Sequence, residues 1–231
     1  NWACSIAPMR NGRFALMLLA MLALLWIPLA IAPWDRHDWL LENALLVMVI
    51  VVLAATWRMY AFSRPSYVLI FVFLCLHTIG AHYTYAEVPY DAWLQKLTGH
   101  TFNSLVGWQR NNFDRVVHFS YGLLLAYPVR ELLLRTWNLT GFPGYLFALD
   151  LTMSSSMLYE LIEWAAAEVF GGDLGMAYLG TQGDVWDAHK DMALASLGAL
   201  VTMVVLALVQ RRIRRDFARE WVDGLRAPRA C

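Results

Sequence analysis

Long apolar stretches separated by short polar segments run through this chain. Six of them are roughly 20 residues long, the length that an α-helix needs to cross a hydrocarbon layer of about 30 Å. The pattern predicts an all-α polytopic membrane protein, a six-transmembrane-helix bundle that forms one integral membrane domain over residues 1–231. The predicted spans are residues 14–33, 40–57, 66–83, 113–133, 142–169 and 187–209, and an arginine-rich tail follows at 210–231.

The composition agrees with this class. Hydrophobic residues make up 59% of the chain and charged residues 16%, whereas a soluble domain has about 45–50% and about 25%. The formal net charge is zero, so nothing favours a nucleic-acid partner, and membrane lipids are the expected surroundings. The first span is longer than a cleaved signal sequence and Pro33 follows it, so we expect it to be a retained anchor.

Basic residues are distributed unequally between the two sides of the predicted bundle. Thirteen of the 18 Lys and Arg residues lie on the side of both termini, and the other five are Arg36, Lys96, Arg110, Arg115 and Lys190. Because cytoplasmic loops carry the excess of Lys and Arg, both termini are predicted to be cytoplasmic. The expected protein is therefore a multi-pass membrane protein in this orientation.

Ionisable side chains in the apolar segments fall at the outer side of this topology. Asp114 and His118 are four residues apart and face the same way, with Tyr121 a turn deeper. Glu160 and Glu163 share a face late in the next span, where two carboxylates repel each other and the helix dipole disfavours both. They therefore need protons, a bound cation or basic partners. An ordinary ion pair with Arg115 or Lys190 is the structural alternative to a functional role.

The last and third spans add to this polar group. Asp184, Asp187 and Asp191 form one acidic stripe that enters the last span; Asp184 alone is explained as a helix cap, and Lys190 points aside. The third span carries His77 and His82, whose spacing puts the two rings about 140° apart around a helix. Both cannot face one ion unless the helix breaks near Gly80.

Carboxylates and imidazoles together are ligands for a divalent cation. Oxygen ligands favour Mg²⁺, Mn²⁺ or Ca²⁺, and histidines also allow Zn²⁺. The candidate metal ligands are His118, Glu160, Glu163, Asp187 and Asp191. The candidate catalytic residues are His118, Asp114, Glu160 and Asp191. Further polar candidates are His77, His82, Tyr121, Asp184 and Lys190.

The stretches FDRVVHF (113–119), YELIEW (159–164) and GTQGDVWD (180–187), with KDM at 190–192, resemble the YjdF-like bacterial inner-membrane family. The resemblance extends from about His77 to Ala199. It implies a membrane fold and an inner-membrane location, and it implies no reaction.

A weaker resemblance is to VanZ-like membrane proteins, which are associated with glycopeptide tolerance. Asp114, Arg115 and His118 match the aspartate-basic-x-x-histidine opening of one span in that family. That family also has a glutamate late in the next span, matched here by Glu160 or Glu163. It has an acidic pair at the start of the last span, matched here by Asp187 and Asp191. This chain has two additional N-terminal spans and lacks the glutamine-arginine stretch that follows the glutamate, so the resemblance only suggests a cell-envelope role.

Three functions remain open on these grounds. The first is a metal-dependent enzyme that acts on a lipid-linked or cell-envelope substrate at the periplasmic face. The second is a module for lipid head-group binding or for proton- or cation-coupled transport. The third is a structural membrane bundle without catalysis, whose polar cluster only fixes helix packing.

Overall fold

The computed structural model of the protein describes residues 6–57, 59–172, 175, 179 and 181–226. Within this part the chain is helical and has no strand. The helices with defined bounds are α1 (Ile6–Ile31), α2 (Arg36–Thr56), α3 (Arg64–His82), α4 (Tyr90–Thr98), α5 (Phe102–Val106), α6 (Phe113–Trp137), α7 (Gly141–Phe170), α8 (Asp187–Ile213) and α9 (Phe217–Arg226).

The six predicted spans coincide with α1, α2, α3, α6, α7 and α8 to within a few residues. Four helices of the described chain are long and apolar enough to cross a membrane: Asn11–Ile31, Arg36–Thr56, Arg64–His82 and Asp187–Ile213. The helices α6 and α7 have 25 and 30 residues, but side chains such as Arg130 and Glu163 make them more polar. The all-helical membrane architecture is thus confirmed, and membrane crossing is supported for four of the six segments.

Local sequence signals explain several helix boundaries. Asp35 precedes α2 and accepts hydrogen bonds from the N–H groups of His37 and Asp38. Ser63 caps α3 in the same way, and Pro65 occupies the first turn, where its missing N–H costs nothing. The helix α6 ends at Asn138, which takes the left-handed conformation with φ of 54°.

The closest helix contact in the fold joins α6 to α8. A Cβ atom on Gly122 of α6 would lie 1.8 Å from the carbonyl oxygen of Ala195. A Cβ atom on Gly198 of α8 would lie 2.2 Å from the carbonyl oxygen of Phe119. The two backbones therefore touch, as membrane helices do where small residues face each other. Thr202 adds a hydrogen bond of 2.6 Å from its hydroxyl to the carbonyl oxygen of Leu123.

Charged groups at the far end of α6 have partners. Arg130 is fully buried and pairs with Asp216, which precedes α9. Glu131 accepts hydrogen bonds from Ser63 Oγ at 2.6 Å and from Ser66 Oγ at 2.5 Å. These contacts hold α9 and the start of α3 against α6.

The predicted outer loop between α3 and α6 contains the short helices α4 and α5. Tyr90 of α4 donates a hydrogen bond to Asn103 Oδ1 at 2.7 Å and accepts one from the N–H of Asn112 at 3.1 Å. Because Asn112 directly precedes α6, this segment fixes the end of α6 at which the polar side chains lie.

Candidate functional site

Possible metal ligands from two helices meet at one end of the α6–α8 pair. Asp114 and His118 lie in the first two turns of α6, and Asp191 lies in the second turn of α8. One ligand atom of each residue lies within 4.8 Å of those of the other two. Asp114 Oδ1 is 3.4 Å from His118 Nε2. These three residues are called the Asp–His–Asp triad below.

Glu160 of α7 reaches the triad from a third helix. Its Oε1 lies 3.5 Å from His118 Nε2. The triad and Glu160 thus form a contiguous set of groups whose chemistry suits proton exchange or cation binding, and Glu163 lies one turn further along α7.

Two oxygen atoms of this set lack the partners that buried polar atoms normally have. Asp191 is only 2% exposed, and its Oδ1 has no hydrogen-bond partner among the described residues; the same holds for Glu160 Oε1. An unpartnered buried oxygen is costly, and a carboxylate more so. A cation bound at the triad would relieve that cost for Asp191 and would place a positive charge close to Glu160.

A separate ion network lies beside the triad. Arg115 Nη2 donates to Asp184 Oδ2 at 2.5 Å and to Asp187 Oδ1 at 3.1 Å. Arg110 also pairs with Asp187, and Lys190 Nζ donates to Asp184 Oδ2 at 2.5 Å. Asp187, a predicted metal ligand, is therefore held by two guanidinium groups and lies outside the triad.

The partners of Asp184 keep it ionised. The hydrogen bond from Lys190 is the largest influence, followed by the N–H of Trp186 and then Arg115, and together they lower the pKa of Asp184 from 3.8 to about 2. The expected ion pair of the glutamates of α7 with Arg115 or Lys190 was wrong, because both basic groups are held by Asp184. Asp184 is also not the cap of α8: Trp186 has the N-cap position, without a side-chain cap hydrogen bond.

The two histidines of α3 have different surroundings. His77 Nε2 lies 3.0 Å from the carbonyl oxygen of Glu42, so this nitrogen carries the proton, and the hydroxyl of Tyr85 donates to Nδ1. Burial raises the pKa of Tyr85 well above its ordinary value, so its hydroxyl keeps the proton. With both nitrogens engaged, His77 is a neutral positioning group. His82 contacts the carbonyl oxygen of Leu29 at 2.7 Å, so the two rings do not meet.

A second acidic pair comes from α2. Asp38 and Glu42 lie one turn apart and are only 2% and 3% exposed. Tyr159 donates a hydrogen bond of 3.3 Å to Glu42 Oε2. Asp38 was not among the predicted site residues, although two carboxylates four residues apart at the start of an apolar span were an available signal. Nothing in the local sequence marked Arg110 as a partner of Asp187.

A cavity of about 410 Å³ lies between α2, α3, α6 and α7. Tyr121 and Ser155 share a hydrogen bond of 2.7 Å on its wall. One end is polar and is lined by Asp38, Glu42, His77, Asp114, His118 and Glu163. The other end is apolar and is lined by Leu53, Phe62, Val129 and Leu132. The cavity thus has the polarity profile of an amphiphilic molecule.

Residues 14–212 of the chain match the protein family described as "Predicted membrane protein (DUF2238)". The chain belongs to this family. It is 37% identical over 197 residues to inner membrane protein YjdF of Escherichia coli (strain K12), an alignment that covers 85% of this chain and 90% of that protein. No solved structure matches the chain.

Membership of this family confirms the YjdF-like resemblance and makes the chain a membrane protein. The matched range contains the triad, Glu160, Glu163, Asp38 and Glu42. The likeness to VanZ-like proteins stays a prediction.

Proposed function

We propose that the protein is an inner-membrane protein with six membrane-spanning helices and both termini in the cytoplasm. The lengths of α6 and α7 support the additional two spans. The excess of Lys and Arg on one side supports the orientation, and the E. coli relative is named an inner membrane protein. In this orientation the triad lies near the periplasmic surface.

The function that this site supports best is metal-dependent catalysis on a lipid-linked substrate. The observation that carries the proposal is the convergence of Asp114, His118 and Asp191 with ligand atoms within 4.8 Å of one another. Asp191 supports the same proposal, because it is buried and its Oδ1 lacks a hydrogen-bond partner among the described residues.

The ligand atoms of the triad narrow the choice of metal, and the neighbouring residues have separate roles. Two carboxylates and one imidazole suit Mn²⁺ or Zn²⁺, and Mg²⁺ accepts the same site with more water ligands. A bound cation would supply activation of water and polarisation of a phosphoryl oxygen. Glu160, 3.5 Å from His118 Nε2, would be the proton acceptor. Asp187 is not included among the ligands because Arg110 and Arg115 hold it.

The cavity indicates the kind of substrate. On α6 its lining runs from Asp114 to Leu132, a length of about 27 Å at roughly 1.5 Å per residue. That length is close to the full hydrocarbon core of about 30 Å, so it suits a long hydrocarbon chain such as a polyprenyl chain better than a soluble metabolite. The apolar end disfavours ion passage, since a permeating ion needs polar groups along its path.

Turnover by the purified protein in lipid vesicles tests this function. The substrates are phosphatidic acid, a polyprenyl diphosphate and a lipid-linked sugar, each supplied with Mg²⁺, Mn²⁺ or Zn²⁺ or with EDTA, and products are measured by mass spectrometry. We expect metal-dependent hydrolysis or transfer on one of them. Asp191→Asn should reduce the rate by more than the roughly 10–100-fold that loss of a supporting partner costs.

The matched control is Glu87→Gln, because Glu87 is exposed and does not line the cavity. It should leave the rate unchanged. Turnover that persists in EDTA, or no turnover of any of the three substrates with any of the metals, contradicts metal-dependent catalysis.

A further inference from the structure

The acidic pair Asp38 and Glu42 is not used by the triad. Both carboxyl groups line the polar end of the cavity and are at least 97% buried, with exposures of 2% and 3%. Asp38 Oδ1 has no hydrogen-bond partner among the described residues. A buried carboxylate in this state requires a proton or a positively charged partner.

The nearby basic side chains are engaged elsewhere. Arg36 follows Asp35 directly, yet its guanidinium donates to the carbonyl oxygens of Ala30 and Ile31 at 2.8 and 2.9 Å. Arg110, Arg115 and Lys190 are held by Asp184 and Asp187.

The basic groups that line the cavity face other partners. No Lys or Arg belongs to its lining within the described chain, and His77 uses both ring nitrogens. His118 also lines the cavity, but its Nε2 faces Asp114 at 3.4 Å and Glu160 at 3.5 Å. Four carboxyl groups line the cavity, those of Asp38, Glu42, Asp114 and Glu163. A metal ion held by the triad would neutralise charge around Asp114 and would leave Asp38 and Glu42 without a cation.

We propose that Asp38 and Glu42 form a subsite for the protonated primary amine of an amphiphile whose hydrocarbon chain occupies the cavity. The proposal rests on the proposed function in one respect, that the cavity holds the substrate's chain. It names the substrate class as an amine-bearing lipid.

The geometry favours an amine over a second metal ion. Asp38 and Glu42 come from one helix and have Tyr159 as a neighbour, whereas Mg²⁺ and Ca²⁺ require six or more oxygen ligands. A primary ammonium group has three N–H donors, which suit Asp38 Oδ1 and the carboxylate of Glu42.

The lining of α2 also favours an attached hydrocarbon chain. Along one face of this helix the residues change from Asp38 and Glu42 to Leu45, Val49 and Leu53. An amphiphile lying along this face puts its charged head at the carboxylates and its chain against the leucines and valine. A small soluble amine leaves the apolar part of the cavity uncovered.

Native mass spectrometry of the detergent-purified protein in EDTA tests the subsite. The probes are phosphatidylethanolamine, phosphatidylcholine and phosphatidylglycerol with identical acyl chains. We expect phosphatidylethanolamine to bind about tenfold more tightly than the other two, because only its amine donates three charged hydrogen bonds. Equal binding of the three lipids by the wild-type protein overturns the subsite and does not depend on any variant.

Substitutions test whether the carboxylates of Asp38 and Glu42 cause the preference for phosphatidylethanolamine. Asp38→Asn and Glu42→Gln keep the side-chain shape and remove the charge, so each should abolish the preference for phosphatidylethanolamine; Glu87→Gln should retain it. A preference that survives both substitutions contradicts the assignment.

The metal-free condition separates this proposal from the proposed function. Loss of the amine preference with metal binding intact overturns only the subsite. Absence of metal binding with the amine preference intact overturns metal-dependent catalysis and supports the subsite.

Discussion

At the scale of single residues, the notable groups are buried carboxylates that lack partners. Asp38 Oδ1 and Asp191 Oδ1 have no hydrogen-bond partner within the described chain, and each residue is only 2% exposed. Burial of a charge costs several kcal/mol even after relaxation. Acidic groups at membrane depth are rare and mostly functional, so these two residues mark the two halves of the proposed site.

The Asp184 network should give a pH dependence with a definite sign. The folded-state pKa of Asp184 is about 2, below its ordinary 3.8, so the folded protein favours the ionised form. The stabilisation is complete above the unfolded-state pKa and is lost as the pH falls through the folded-state value.

Thermal unfolding from pH 7 down to about pH 2 measures this effect. Asp184→Asn should lower the unfolding temperature at neutral pH, and the gap to wild type should shrink once the pH falls below about 4. Glu168→Gln, at an exposed position of α7, is the control. A gap that stays constant throughout the acid range contradicts the ionic role of Asp184.

Sequence alone predicted part of the site at this scale. Asp114 and His118 were paired because a spacing of four residues places two side chains on one helix face. Asp187 was included in the ligand set on the same periodicity, but Arg110 comes from a loop between α5 and α6 and reaches it across the fold. Such long-range ion pairs depend on tertiary packing, which periodicity within one helix does not encode.

At the scale of helices, the α6–α8 contact determines whether the triad exists. Asp114 and His118 belong to α6 and Asp191 to α8, so a change of separation between these helices moves ligands apart. Gly122 is two turns or less from His118 and allows the backbones to touch. Small residues in apolar helices are typical of close helix contacts, but which residue of α6 faces Ala195 required the structure.

Gly122→Val tests this dependence. The added side chain starts at a Cβ position only 1.8 Å from the carbonyl oxygen of Ala195, so the helices must separate. We expect destabilisation of about 1–3 kcal/mol or more and loss of metal binding. Unfolding in micelles and metal titration measure the two effects.

The control is Ala165→Val, which enlarges a side chain at an exposed position of α7. It should change neither property. Normal metal affinity in a folded Gly122→Val protein would show that the α6–α8 separation does not control the site.

At the scale of the whole molecule, the sequence predicted the helices well and their membrane status less completely. Apolar length located all six long helices, because the hydrophobic stretch required by a bilayer is a property of the local sequence. The polar residues of α6 and α7 that build the site also reduce the apolar character of these helices, so composition marks only four spans among the described residues.

Cysteine labelling tests the proposed topology. In a background with Cys4, Cys75 and Cys231 replaced by serine, Glu87→Cys should react with a membrane-impermeant maleimide on intact spheroplasts. Arg219→Cys should react only after permeabilisation, because α9 is proposed to lie in the cytoplasm. Both side chains are exposed. Labelling of Arg219→Cys in intact spheroplasts contradicts this orientation.

The most direct test of the central claim is electron paramagnetic resonance of Mn²⁺ added to the purified protein. The Asp–His–Asp triad predicts one tightly bound Mn²⁺ per chain with nitrogen coupling from the His118 imidazole. His118→Gln should remove that coupling, and Asp191→Asn should weaken binding, while Glu87→Gln should leave the spectrum unchanged. A wild-type protein that binds no Mn²⁺, or binds it without nitrogen coupling, contradicts a metal site at the triad.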